Sequence, residues 1–151
     1  MRRMILLLSL ALAVVIGSGN VAIAQADRAL SAGESKAAAG DIRGAMASFE
    51  KATRDDPTSN EAYARLGGMQ LLDQRYSDAV RSFQQAISLG DDGARSFIGM
   101  GMAYLHMGQL GAARAAFVEA RNRGVDSKND VDQIIAWIDS RAPATGSPRH
   151  P

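Results

Sequence analysis

Phe49, Phe83 and Phe117 stand 34 residues apart, twice over. Three further columns keep that period unchanged: Gly33, Gly67 and Gly101; Ala45, Ala79 and Ala113; Ala52, Ala86 and Ala120. Four invariant columns in three registers do not arise from an alanine-rich composition alone. A fixed period of this length means stacked supersecondary units, each burying its apolar face on the next. Stacks of this kind usually present surfaces and rarely carry chemistry.

Numbered from 1 to 34, the repeats cover residues 26–59, 60–93 and 94–127. The first helix of each pair, helix A, carries Tyr63, Leu66, Gly67 and Gln70 in repeat 2, and Phe97, Met100, Gly101 and Tyr104 in repeat 3. Positions 4, 7 and 11 share one face at helical spacing. Helix B opens at Ile42, Tyr76 or Leu110. In repeat 2 it continues Ala79, Val80, Phe83, Ala86, Ile87, an i, i+3, i+4, i+7 stripe. Glycine at position 8 and alanine at 20 and 27 let the two helices approach, and the phenylalanine at 24 fills the space they leave. Gly40-Asp41, Gln74-Arg75 and Gly108-Gln109 form the A–B turns, with glycine supplying a left-handed helix end. Asp55 to Ser59 and Gly90 to Gly93 are turn and cap chemistry between repeats.

This pattern resembles the tetratricopeptide repeat. That motif asks for an aromatic at 4, leucine at 7, small residues at 8, 20 and 27, an aromatic at 24 and proline at 32. Repeats 2 and 3 match, except that Asp91 and Val125 replace the proline. Repeat 1 is weaker, with Ala29 and Ala32 at positions 4 and 7, but it keeps Gly33, Gly40, Ala45, Phe49, Ala52 and Pro57. The resemblance implies an all-α solenoid of antiparallel helix pairs stacked in a superhelix. It does not name a partner, because the family binds many.

Positions 21 and 28 of helix B face the following repeat. They are Met46 and Thr53, then Val80 and Ile87, but Arg114 and Arg121 in repeat 3. A polar outer edge marks the end of the array. Val131, Ile134, Ile135 and Ile138 then form one more amphipathic helix over 128–141, in the register of a fourth helix A, with Asp126 or Ser127 as its cap. Trp137 is read as packing at the edge of this cap rather than as a partner anchor. The Pro/Gly/Ser-rich tail, 142–151, is expected to be disordered.

The chain begins with Met1-Arg2-Arg3-Met4, an apolar run from Ile5 to Ile16, and Ala22-Ile23-Ala24. That is the three-part secretory pattern. Residues 1–24 are expected to be a signal peptide cut before Gln25, with Ala26 as a second choice; an uncleaved anchor is the alternative. The expected location is outside the cytoplasm, in a bacterial periplasm. Loss of Arg2 and Arg3 lowers the basic count from 17 to 15 against 16 acidic residues, so no basic surplus suggests nucleic acid. The absence of cysteine excludes disulfides, thiolate zinc sites and a thiol nucleophile.

No catalytic, phosphate-binding or dinucleotide motif is present, and neither an enzyme nor a cofactor site is expected. Asp126, Lys128, Asp130 and Asp132 only faintly suggest a calcium loop, and a helix start explains them better. The acidic pairs Asp55-Asp56 and Asp91-Asp92 are read as turn and capping residues.

The family resemblance implies that helix A lines the concave side, through positions 2, 5, 9, 12 and 13. The candidate partner-binding residues are therefore Leu30, Glu34, Glu61, Ala64, Gly68, Leu71, Arg95, Ile98, Met102, Leu105 and His106. Asp27, Ala37, Ala38 and Leu72 extend the same surface, and Asn129, Asp132, Ala136 and Asp139 continue it on the cap. Its middle is apolar and its rim mostly acidic, which suits a protein or peptide partner. Chaperone-binding relatives grip a carboxylate with lysines and asparagines. Position 5 here is Leu30, Ala64 or Ile98, so an amphipathic helix or an extended apolar segment is expected instead. Self-association through the stripe is the alternative, and a membrane tether follows only if the leader is retained.

Overall fold

A computed structural model describes residues 21–125 and 128–141. Most of the expected leader, the expected cap at Asp126 or Ser127 and the expected disordered tail lie outside the described residues. Seven helices run through the described residues, which contain no strand. They are α1 (21–38), α2 (Ile42–Asp55), α3 (Asn60–Leu72), α4 (Tyr76–Ser88), α5 (Ala94–His106), α6 (Leu110–Asn122) and α7 (Lys128–Arg141). None of the described helices is long and apolar enough to cross a membrane.

The periodic columns form the seam inside each helix pair. Phe49, Phe83 and Phe117 are buried, as are all six periodic alanines. The glycine columns explain how the rings fit. A Cβ on Gly33 would lie 2.5 Å from the Phe49 ring, and one on Gly67 or Gly101 would lie 3.0 Å from Phe83 or Phe117. Each ring therefore rests on bare backbone of the opposite helix.

The A–B turns are built alike. Position 15 is left-handed in all three repeats: Gly40 at φ 79°, Gln74 at 62° and Gly108 at 71°. The next amide closes back five residues, from Asp41 to Lys36, Arg75 to Gln70 and Gln109 to Tyr104. Asp91, standing where a proline is expected, has its own function. Its carboxylate accepts from the Gly93 amide at 3.0 Å and from the hydroxyl of buried Ser96. Asp56 likewise accepts from the Thr58 amide at 2.9 Å.

Positions 11 and 23 hold a polar pair in two repeats. The Lys36 ammonium donates to Ser48 Oγ at 2.9 Å, and Ser82 Oγ donates to Gln70 Oε1 at 2.7 Å. Repeat 3 has Tyr104 and Ala116 there instead.

The array ends differently from the sequence expectation. In the inner repeats, position 10 of helix A (Met69, Ala103) packs on the preceding phenylalanine seam. In α7 that place is taken by Val131, Ile135 and Ile138, against Ala113 and Phe117. Position 10 of the cap, Trp137, is 45% exposed, with the Arg141 guanidinium 4.1 Å above its ring. The cap is therefore turned relative to a true fourth helix A. Among the described residues no helix B follows to cover positions 4, 8 and 11, and that face packs on α6.

Asp132 and Asp139, expected to continue the partner-facing surface on the cap, are paired with α6. Asp139 accepts from Arg114 Nε at 2.5 Å and Nη2 at 3.2 Å, and Asp132 accepts from Arg121 at 3.2 Å. The two arginines read as a solvated outer edge instead clamp the cap.

Candidate functional site

Helices α1, α3 and α5 bring the A positions together on one face. On this side α3 touches α5 directly, whereas no comparable contact joins α4 to α6. The A side is thus the closed side of the stack and the B side the open one.

The apolar candidates are half-buried rather than free. Leu30 leans on Met46, Phe49 and Leu66, and Leu71 on the cluster of Ala79, Val80, Phe83 and Ala103. Ile98, Met102 and Leu105 lean on the cluster that α6 and α7 build around Phe117. Each side chain divides its surface between core and solvent. Leu72, at the end of the stripe, is 62% exposed. Ala64 and Gly68 lie on the same face of α3, both partly exposed. Arg95 is exposed at the start of α5. The His106 ring stacks on Tyr76 of α4, with centroids 4.6 Å apart and planes 2° from parallel.

The acidic candidates meet through a residue that column reasoning passed over. Arg65, at position 6, lies 3.0 Å from Glu34 of α1 and 3.2 Å from Glu61 of its own helix. All three side chains remain about half exposed. The Glu61/Arg65 spacing of i, i+4 was a signal for half of this cluster. The link to Glu34 needed the stacking of α1 on α3. In the next seam Gly68 and Gly99 replace Glu34 and Arg65, and Arg95 replaces Glu61, so the cluster is not repeated.

A cavity of about 480 Å³ lies on the other side of the stack. Its walls are Gln84, Ile87 and Ser88 of α4 and Ala112, Ala115, Ala116 and Glu119 of α6, over a floor of Phe97, Met100 and Tyr104. One repeat earlier, Ala112, Ala115 and Ala116 correspond to Asp78, Arg81 and Ser82, and Ile87 corresponds to Thr53. Small residues in α6 and the missing polar pair at Tyr104 and Ala116 leave this space between the splayed B helices. Among the described residues no group of three or more His, Asp or Glu side chains is gathered in a way that could hold a metal ion.

No protein-family model matches the chain. Solved structures match it over most of its length. The TPR2B domain of yeast Sti1, solved as a complex with pHsp70, superposes with a TM-score of 0.70 at 16% identity, covering 78% of this chain and 98% of that one. The chain folds as a tetratricopeptide-repeat domain. MamA gives a TM-score of 0.73 at 24% identity, over 77% of this tetratricopeptide chain and 67% of its own. SycD of Yersinia enterocolitica, solved with a peptide of the translocator YopD, gives 0.72 at 15% identity, over 78% and 94%. Among curated proteins, the Hsp70-Hsp90 organizing protein of Triticum aestivum is 27% identical over 128 residues, which is 81% of this chain. The tetratricopeptide chain spans only 22% of that relative's length.

Proposed function

We propose that this tetratricopeptide domain is a non-catalytic protein-interaction module of an exported protein, and that it holds an apolar or amphipathic segment on its A-helix face. The observation that carries this reading is the stripe of Leu71, Leu72, Ile98 and Met102. Leu71, Ile98 and Met102 lean on the seam clusters with part of their surface and, with the exposed Leu72, keep the rest open to solvent. Apolar surface gathered on one face is the usual mark of a docking site, and methionine suits adaptable ones. Two of the structural neighbours are themselves solved with a partner peptide or protein, which supports the general role.

Export rests on the leader pattern. The packing supports a cut before Gln25. Ile23, Ala24 and Gln25 are exposed, and Ala26 is the first buried residue of α1. Such a cut leaves every packed residue of the described helix in place. Intact mass of the exported protein tests this: a species beginning at Gln25 is expected, and one retaining Met1 refutes it.

Leu71→Asp and Met102→Asp test the surface. The expected result is loss of the partner recovered on the wild-type chain, with an unchanged hydrodynamic radius. A fall from dimer to monomer would instead assign the stripe to self-association. No change in either measurement refutes the A-face reading.

A further inference from the structure

Four glycines inside the helices have a packing reason. At Gly33, Gly67, Gly99 and Gly101 a phenylalanine ring occupies the space a Cβ would need. Gly68 has none: a Cβ built there meets nothing within 4 Å. It sits in the interior of α3, where glycine weakens a helix through its backbone freedom. Bare backbone facing open space is what close approach by another main chain requires.

Charge runs along the same face. Within the cluster, Glu34, Arg65 and Glu61 carry one net negative charge, and Arg65 is already engaged by both carboxylates; the other cation among the A-face candidates, exposed Arg95, stands at the start of α5. The surplus favours a cation from outside and repels a carboxylate. Farther along α3, Gly68, Leu71 and Leu72 are uncharged.

The lining also selects backbone conformation. Ala64, Gly68, Leu71, Ile98 and Met102 offer no side-chain donor or acceptor. An extended segment pressed on them would leave main-chain groups unsatisfied. A helix satisfies its own. From Glu61 to Leu72 the face runs roughly 16 Å, three turns of helix.

We propose that the A face takes an amphipathic helix from its partner, laid along α3 with small and apolar residues against Gly68 and a basic residue over the Glu34–Arg65–Glu61 cluster. This rests on the A-face reading above and gives its occupant a conformation, a charge and a direction.

Three synthetic peptides test it by fluorescence anisotropy with the purified protein at low salt. The first is a helix-forming peptide with an alanine/leucine stripe and two lysines in one end turn. The second has glutamates for the lysines, and the third has a central proline. The lysine peptide should bind at least tenfold more tightly than the other two. Glu34→Gln with Glu61→Gln should erase the lysine preference. Gly68→Trp should weaken the lysine peptide at least tenfold without lowering the melting temperature. Equal or tighter binding of the glutamate peptide overturns the charge assignment, and equal binding of the proline peptide overturns the helix. In both cases the A-face reading stands if Gly68→Trp still weakens binding. Indifference to Gly68→Trp, or no binding of any peptide, overturns the site and the A-face reading together.

Discussion

Gly67 and Gly68 are neighbours in one helix, yet alanine at each should change stability in opposite directions. Both are interior positions of α3, so either substitution gains about 1 kcal/mol of helix propensity. At Gly68 nothing opposes that gain, because the new methyl meets open space. At Gly67 the methyl would lie 3.0 Å from Cδ1 and Cε1 of Phe83. The ring cannot retreat, since Gly99 of α5 holds it from the other side, with its own Cβ site only 2.4 Å from Cζ. Overpacking of this kind costs roughly 1–3 kcal/mol. The net effect of Gly67→Ala is then a loss of about 1 kcal/mol, against a gain of about 1 kcal/mol for Gly68→Ala. For a domain of this size each kcal/mol moves the melting temperature by about 4 °C, so the two variants should differ by roughly 8 °C. Thermal and urea melts followed by far-UV circular dichroism measure this directly. If Gly67→Ala stabilises as much as Gly68→Ala, Phe83 is not held between α3 and α5. If Gly68→Ala destabilises, the open space at Gly68 is wrong, and the docking argument built on it fails.

Gln74 is left-handed where the other two repeats have glycine, and an L residue there costs about 1–2 kcal/mol. Gln74→Gly should therefore raise stability by up to about 1 kcal/mol after the added freedom of the unfolded chain is counted, and a lowered urea midpoint would contradict the strained turn. Phe83→Ala removes a buried ring from between two glycines and should cost about 3–5 kcal/mol in urea unfolding, because bare backbone on both sides cannot collapse into the space. The Asp139 carboxyl is held below the 3.8 of a free aspartate, first by the hydrogen bond from Arg114 and then by its charge, with desolvation opposing. A folded value below the unfolded one means the clamp is complete above about pH 4 and is lost as the pH falls through the folded value. Carboxyl NMR should show Asp139 titrating higher in Arg114→Ala, and an unchanged titration would show that the pair does not hold the cap.

The seam was legible because every repeat obeys the same packing equation. A ring at position 24 needs a bare position 8, and three copies of that requirement make a column. Gly99 escaped because position 6 is not a column: it reads Ser31, Arg65, Gly99. Its reason lies between repeats, in the approach of α5 to Phe83, and only one of the seams makes that demand. Arg65 escaped for the same reason, since its second partner belongs to another repeat. The A-face candidates were read from register alone, and their half-burial was not foreseen. A side chain at position 5 or 12 lies at the edge of the core, where period alone does not divide buried from exposed surface. The B-side cavity did leave a sequence trace, in the exchange of Asp78, Arg81 and Ser82 for Ala112, Ala115 and Ala116. That trace appears only when one repeat is compared with the next outside the invariant columns.

The turned cap limits the length of the A face. In an open array, positions 21 and 28 of the last helix B would receive another helix A, and the A face would continue. Here Arg114 and Arg121 are both engaged by α7 carboxylates. Ala113 and Phe117 are covered by Ile135 and Ile138. A second copy stacking end to end at this point would have to strip an apolar cluster as well as two ion pairs, and exposed ion pairs alone would be a weak barrier. It is therefore the isoleucines of α7, more than its carboxylates, that close the array. The usable A face then comprises α1, α3 and α5, with α3 at its centre. That is why a segment of about three helical turns laid along α3, rather than a long extended one threaded through many repeats, is the occupant this stack can hold.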